Sequence, residues 1–268
     1  MRWLLSFLAV AWVSTLTAQP LYFGYYEVDR LYDTLPSPFY DDSDFTPQGR
    51  YRWTTERYRE KIARVAATID SMRLHAVALY GVENEAVVRD LAATLQGDYT
   101  YLHRTLNSYN GLEFALLYEG DRIIPLQSRA EGRSLYIEAL FDRDTVGILL
   151  CNSSRSLPYI LERIRNRRPN LPLIVAGQAD TATLRHYNLI DRMAEPERKG
   201  YGTRRTRSGW VMQSRIATDT RLGHKEGGIY LRRELLDERL EYPAATFIGR
   251  RYIGGAGRSL PLFVEIDR

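Results

Sequence analysis

The stretch WTTERYREKIARVAATIDSMRLHAVALYGVENEAVVRDL, residues 53–91, spells a helix, a strand and a second helix. Thr54 is placed to cap the first helix, and Glu56 in its first turn suits the positive end of the helix dipole. Tyr58, Ile62, Val65, Ile69 and Met72 then recur at three- and four-residue steps, so one face of that helix is apolar. Ala76–Tyr80 is a short apolar run that reads as a buried strand. Asn84 is placed to cap a second helix whose Val87, Val88, Leu91 and Leu95 share a face.

The same alternation continues outward. GLEFALLYEG (111–120), SLYIEALFD (134–142), TVGILLCN (145–152) and LPLIVAGQ (171–178) read as strands separated by turn residues. Pro158 suits the first turn of a helix running to Arg167. GWVMQSRIAT (209–218) and LPLFVEID (260–267) read as late strands. Strands outnumber helices, and no Pro-, Gly- or Ser-rich linker divides the chain. The expected architecture is α+β: one domain of packed sheets with helices outside, spanning residues 19–268.

The N-terminus reads MRWLLSFLAVAWVSTLTAQP, a positive Arg2 followed by an apolar run and a small residue, Ala18, at a suitable cut. Residues 1–18 are therefore expected to be a secretory signal peptide, placing the protein outside the cell or in the periplasm. Cys151 is the sole cysteine of 268 residues, which excludes an internal disulfide and makes a buried structural thiol the expected role. No HExxH, P-loop, GxSxG or CxxC pattern is present. The net charge is only +4, so nucleic acid is weakly supported as a partner. Two basic clusters stand out. Arg163–Arg168 reads as the solvated face of a helix, whereas Arg204–Arg207, before Trp210 in a Gly-flanked loop, is the better candidate for holding an anion.

Several words of the chain resemble the endonuclease/exonuclease/phosphatase (EEP) family, in that family's order. YEVDRLYD (26–33) resembles its opening YNVENLFD. DDSDFTPQGRYRWTTERYREKIARVAATI (41–69) resembles an acidic loop, FTP, a Gly turn, WT and a basic helix. ALYGVENEAVVRDL (78–91) resembles LxEVENxxVLxDL, and HRTLNSYNGLEFALLY (103–118) resembles HxDSPDxRGIDVALLY. LIVAGQADT (173–181), GWVMQSRIAT and YIGGAGRSLPLFVEI (252–266) resemble the strand ending GDFND, the WxxLDQIxVS strand and the terminal GGYSDHLPVYxxI. The resemblance implies the DNase I-like four-layered sandwich, two packed mixed β-sheets flanked by helices. It also implies phosphate-ester hydrolysis with Mg²⁺ on a Glu, an Asp activating water, and His and Asn residues stabilising the transition state.

At those chemical positions this chain differs. Glu27 stands for the opening Asn, and Gly81 for the metal-binding Glu. Asn110 and Glu113 stand in the Arg and last Asp places of the third word. Asn152 survives, but Ser153, Ser154 and Arg155 follow it with no His. Gln178 replaces the catalytic Asp and Asp180 the Asn of GDFND. Gln213-Ser214 replace Asp-Gln, and Gly257-Arg258-Ser259 replace the terminal Ser-Asp-His. Removing one member of a hydrolase's catalytic set typically costs about 10⁴–10⁶ in rate. Framework residues are kept: Trp53, Tyr58, Gly111, Ala115, Gly177, Trp210, Gly255 and Pro261.

These substitutions imply a pseudoenzyme that needs no cofactor and binds an anionic ligand or a protein partner through the old cleft. Arg155, Arg204, Arg205, Arg207 and Arg258 are the anion-binding candidates, with Tyr25, Tyr26, Tyr109 and Trp210 adding contact area. Two other readings stay open. One is an active Mg²⁺-dependent nuclease or phosphatase with ligands rearranged among Glu27, Asp29, Glu83, Glu113 and Asp180. The other is a structural envelope protein that binds through an outer face. If the cleft keeps its shape, restoring Gly81→Glu, Gln178→Asp and Ser259→His is expected to recover metal binding.

Overall fold

The computed structural model describes residues 20–239 and 241–267; the signal-peptide reading of residues 1–18 lies outside them. Sixteen strands are present among the described residues: β1 Leu21–Leu31, β2 Ala76–Val82, β3 Tyr99–His103, β4 Glu113–Glu119, β5 Ile123–Glu131, β6 Ser134–Phe141, β7 Asp144–Cys151, β8 Leu173–Gly177, β9 Leu189–Asp191, β10 Arg204–Thr206, β11 Gly209–Val211, β12 Arg215–Asp219, β13 Gly227–Ile229, β14 Phe247–Ile248, β15 Arg251–Tyr252 and β16 Leu262–Ile266. Two six-stranded sheets form, in the orders β13-β16-β1-β2-β4-β3 and β5-β6-β7-β8-β12-β9. Each is mixed: β1 runs parallel to β2 and β7 to β8, and the other pairings are antiparallel.

The sheets pack face to face. Phe23, Tyr25, Phe114 and Leu116 of the first interleave with Leu135, Ile137, Ile148 and Ile174 of the second in one buried core. Outside the first sheet, α1 (Thr55–Met72) and α2 (Glu85–Ala92) bury Ile62, Val65, Ile69, Val87 and Leu91 against Val28 and Leu79. Outside the second, α3 (Leu157–Arg167) and α4 (Thr181–His186) bury Leu161, Ile164 and Leu184 against Leu149 and Val175. The result is the expected four layers, helix, sheet, sheet and helix. A short α5 (Ala194–Arg198) follows β9.

The helix caps read from the sequence are present. Thr54 accepts from the Arg57 amide, and Asn84 from the Val87 amide at 3.0 Å. Leu95 lies beyond the end of α2 and packs against the outer core from the following turn. Residues 209–218 are not one strand. Val211 ends β11, the Gln213 and Ser214 amides both donate to the Thr203 hydroxyl, and β12 starts afresh in the second sheet. Arg163–Arg168 is not a free solvated face either. Arg163 and Arg167 pair with buried Glu131, Arg165 with Asp219 at 2.6 Å, and Arg168 with Glu138. These pairs satisfy carboxylates that burial would otherwise penalise. Cys151 is a buried free thiol.

Candidate anion-binding cleft

β1 supplies the floor of the site. Its Leu21, Phe23 and Tyr25 enter the inter-sheet core, and the period of two carries Glu27 onto the same face as the strand reaches the end of the sandwich. A cavity of about 550 Å³ opens there. Glu27, Asp29 and Arg30 line it from β1, Arg50 and Tyr51 from the loop before α1, and Arg204 from β10. Gly249, Arg250, Arg258 and Ser259 line it from the C-terminal loops. Five arginines thus surround two carboxylates.

Asp29 is already committed. Its Oδ1 receives the Arg30 Nε at 3.3 Å, and its Oδ2 stands 3.3 Å from the Arg258 Nε. Beneath it, Lys61 of α1 is 1% exposed and donates to the Asp29 carbonyl. Burial alone would push the Asp29 carboxyl up, but Lys61, Arg30 and Arg258 outweigh it and hold the group below its ordinary value. Burial pulls the Lys61 ammonium down to about 7, against a smaller opposing pull from Asp29. Glu27 is shifted upward, first by burial, and its Oε2 accepts a 3.3 Å hydrogen bond from the Ser214 hydroxyl.

The Lys61 shift sets a stability slope. Between about pH 7 and its ordinary 10.5 the unfolded chain binds a proton that the folded chain does not, so stability rises with pH across that window. Chemical denaturation at about pH 7 and pH 9 should show a gain on the order of a few kcal/mol, and Lys61→Met should flatten the slope. An unchanged slope in that variant would assign the effect elsewhere.

An aromatic bed holds the arginines. The Arg30 guanidinium lies 5.2 Å from the Phe45 ring centre and 5.3 Å from that of Tyr51. Tyr51, Trp53 and Tyr252 surround Phe247, whose carbonyl accepts from Arg258 Nη2 at 3.0 Å. Arg204 is oriented by donating to the Gln213 side chain at 2.9 Å.

Of the positions singled out in the sequence, the cavity gathers Glu27, Arg204, Arg258 and Ser259. The rest have local structural work. Gly81 sits at a bulge with φ 96°, where an added Cβ would come within 2.1 Å of the Val28 carbonyl oxygen. Asn110 accepts from the Tyr32 hydroxyl and the Leu112 amide. Buried Glu113 accepts from the Leu106 amide and stands 3.4 Å from His103. Asn152 donates to the Tyr80 hydroxyl, and the Gln178 amide donates to the Cys151 carbonyl. Asp180 caps α4 by accepting from the Thr183 amide, which lowers its pKa. Glu83 receives the Asp33 amide and the Tyr40 hydroxyl.

The basic cluster is only partly in the site. Arg205 lies over Trp210 and Arg207 is exposed in the hairpin turn, so the expected loop is the two-stranded β10-β11 ribbon that aims Arg204 alone at the cavity. Arg155 is exposed on the segment before α3. Tyr25 and Tyr26 are each 1% exposed and offer no contact area. Arg30, Arg50 and Arg250 were missed. The one signal for Arg50 and Arg250 is a basic residue inside a turn-rich word, as in QGRYRW and IGRRY, and Arg30 carries none.

The donor set does not fit a divalent cation. Magnesium asks for near-octahedral oxygen ligands, yet Gly81 offers none, Asp29 faces two guanidiniums, and one Glu27 oxygen is engaged by Ser214. Among the described residues no group of three or more His, Cys, Asp or Glu side chains is placed to hold a metal ion.

Comparison with known proteins agrees with this architecture. Residues 22–149 match the model of the Endonuclease/Exonuclease/phosphatase family. No curated protein matches in sequence. Among solved structures, an endonuclease/exonuclease/phosphatase family protein from Bacteroides thetaiotaomicron aligns at TM-score 0.60 and 11% identity, covering 92% of this chain and 95% of its own. Humanized D. rerio TDP2 aligns at 0.58 and 11%, covering 93% and 99%. A mannosyl-6-phosphatase from Bacteroides thetaiotaomicron VPI-5482 aligns at 0.59 and 10%, covering 92% and 100%.

Proposed function

We propose, from the premise that this chain belongs to the endonuclease/exonuclease/phosphatase superfamily, that its cleft binds an anionic ligand and does not hydrolyse it. One observation carries the reading: five arginines line a single cavity whose carboxylates are buried or ion-paired. Guanidinium forks match phosphate, sulfate and carboxylate oxygens in pairs. Hydrolysis needs in addition a base within reach of a water and a group that takes up developing charge. Gln178 at the expected base position supplies an amide, and no histidine lines the cavity. The signal-peptide reading of residues 1–18 places this binding activity outside the cytoplasm. The mass of the mature N-terminus from a secreting host tests that placement, with cleavage after Ala18 expected.

Sulfate is a suitable first probe because it stays dianionic across the working pH range. Calorimetry should detect binding near neutrality, while phosphomonoester and phosphodiester substrates should remain intact with Mg²⁺ or Mn²⁺ present. Affinity should fall as pH rises through about 7. Lys61 loses its charge in that range. Turnover well above background would instead favour a metal-dependent phosphoesterase, a reading supported by the phosphatase neighbour and by Glu27 and Asp29 sharing the cavity.

A further inference from the structure

We infer that Arg258 is a resident cation that takes over the electrostatic work of a divalent metal in this cleft, so that anion binding is metal-independent. The inference rests on the anion-binding reading above and specifies how that site is charged. Asp29 is the anchor. Each of its oxygens faces a guanidinium, Oδ1 that of Arg30 and Oδ2 that of Arg258. The Asp29 Oδ2 and Arg258 Nε atoms are both buried and make no hydrogen bond, so their 3.3 Å approach is an ion pair. A metal bound through Asp29 would have to displace one guanidinium and then sit beside the other. Like charges at such range oppose one another strongly where water is excluded.

Arg258 is held from a second side by the Phe247 carbonyl, at 3.0 Å from Nη2. Its side chain remains 42% exposed and lines the cavity. Two fixed contacts at the rear with an open outer face are what an anion-binding guanidinium needs. The planar group has five N–H donors, and these contacts leave some of them for a ligand. Asp29, in this arrangement, positions Arg258 instead of ligating a metal. The Gly81 bulge fits the same picture, since its backbone admits no side chain that could bring a metal back.

The test has two arms on the full chain. In the first, Mn²⁺ alone is titrated and free ion is followed by electron paramagnetic resonance. Wild-type protein should leave Mn²⁺ free up to the millimolar range. Micromolar binding would overturn the inference while leaving the anion reading intact. In the second, sulfate is titrated by calorimetry in EDTA and again in excess Mg²⁺. Equal affinities are expected, and binding that requires Mg²⁺ would overturn the inference. Absence of sulfate binding in both buffers would defeat the anion reading, and the Mn²⁺ arm would still decide whether the site refuses metal. Arg258→Gln should weaken sulfate binding at least tenfold while still melting cooperatively as a folded protein, and Arg258→Lys should lose less. An Arg258→Gln variant that is folded and binds sulfate like the parent would also overturn the inference.

Discussion

The Gly81→Glu variant is expected to melt about 5–10 °C below the parent chain, from a loss of about 2–3 kcal/mol, and to gain no affinity for Mn²⁺. The substitution restores the residue that the family resemblance puts at this place, so a naive expectation is the opposite. The backbone decides. Gly81 has φ 96°, a conformation that L-residues adopt only under strain. An added Cβ would lie 2.1 Å from the Val28 carbonyl oxygen, and that oxygen belongs to the neighbouring central strand. No rotamer relieves a clash made by Cβ itself. Gly81→Ala is the control: it should lose nearly as much, because the carboxylate contributes little to the cost. Equal melting temperatures for Gly81→Glu and the parent, together with micromolar Mn²⁺ binding, would mean that the bulge relaxes readily. The cleft would then lie one substitution from a metal site, and the reading of a silent cleft would fail. The restoration set of Gly81→Glu, Gln178→Asp and Ser259→His is expected to fail for the same reason.

The limits of sequence reading here have local causes. α1 was legible because Thr54 caps it and its apolar residues keep one helical face. β1 was not read as a strand because LYFGYYEVDRL is buried on both faces. Tyr25 enters the inter-sheet core while Tyr26 and Val28 enter the helical layer, which erases the alternation that marks half-buried strands. The strand read across residues 209–218 is broken by a turn whose driver, Thr203, lies six or more residues upstream. Within the site, Glu27, Arg258 and Ser259 were reached through the family resemblance, which carries three-dimensional information that spacing does not, and Arg204 through its basic cluster beside Trp210. Arg30 comes from the end of β1 and Arg50 and Arg250 from two separate loops, and in one sequence each is indistinguishable from a solvated surface arginine. Conversely, Asn110, Glu113 and Asp180 occupy chemical words of the family yet serve a turn, a loop and a helix cap. A short polar side chain finds a nearby backbone partner readily, and nothing in the sequence tells that use from catalysis.

Phe247→Ala should have the largest effect on stability and should weaken binding as well. The ring is 2% exposed and lies 4.7 Å from Tyr51, 5.8 Å from Trp53, 5.5 Å from Tyr252 and 6.3 Å from Phe45, centre to centre. Truncating a buried phenylalanine to alanine costs about 3–5 kcal/mol through lost burial and the cavity left behind, a fall of about 10 °C in a chain of this size. The functional consequence follows from what the ring supports. Tyr51 and Phe45 carry the Arg30 guanidinium on their faces, and the Phe247 carbonyl fixes Arg258. When the ring is lost, β14 is free to shift against the loop at Arg50 and Tyr51, and two of the cavity's arginines lose their rear support together. Sulfate affinity measured well below the melting temperature should therefore fall about tenfold, the penalty of re-ordering two guanidiniums on binding. Phe247→Leu keeps most of the buried volume, so it should cost about 1 kcal/mol and leave the affinity nearly intact. A Phe247→Ala protein that loses stability yet binds sulfate like the parent would separate the aromatic bed from the site. Arg258 would then owe its orientation to Asp29 and to the backbone carbonyl of residue 247, neither of which needs the ring.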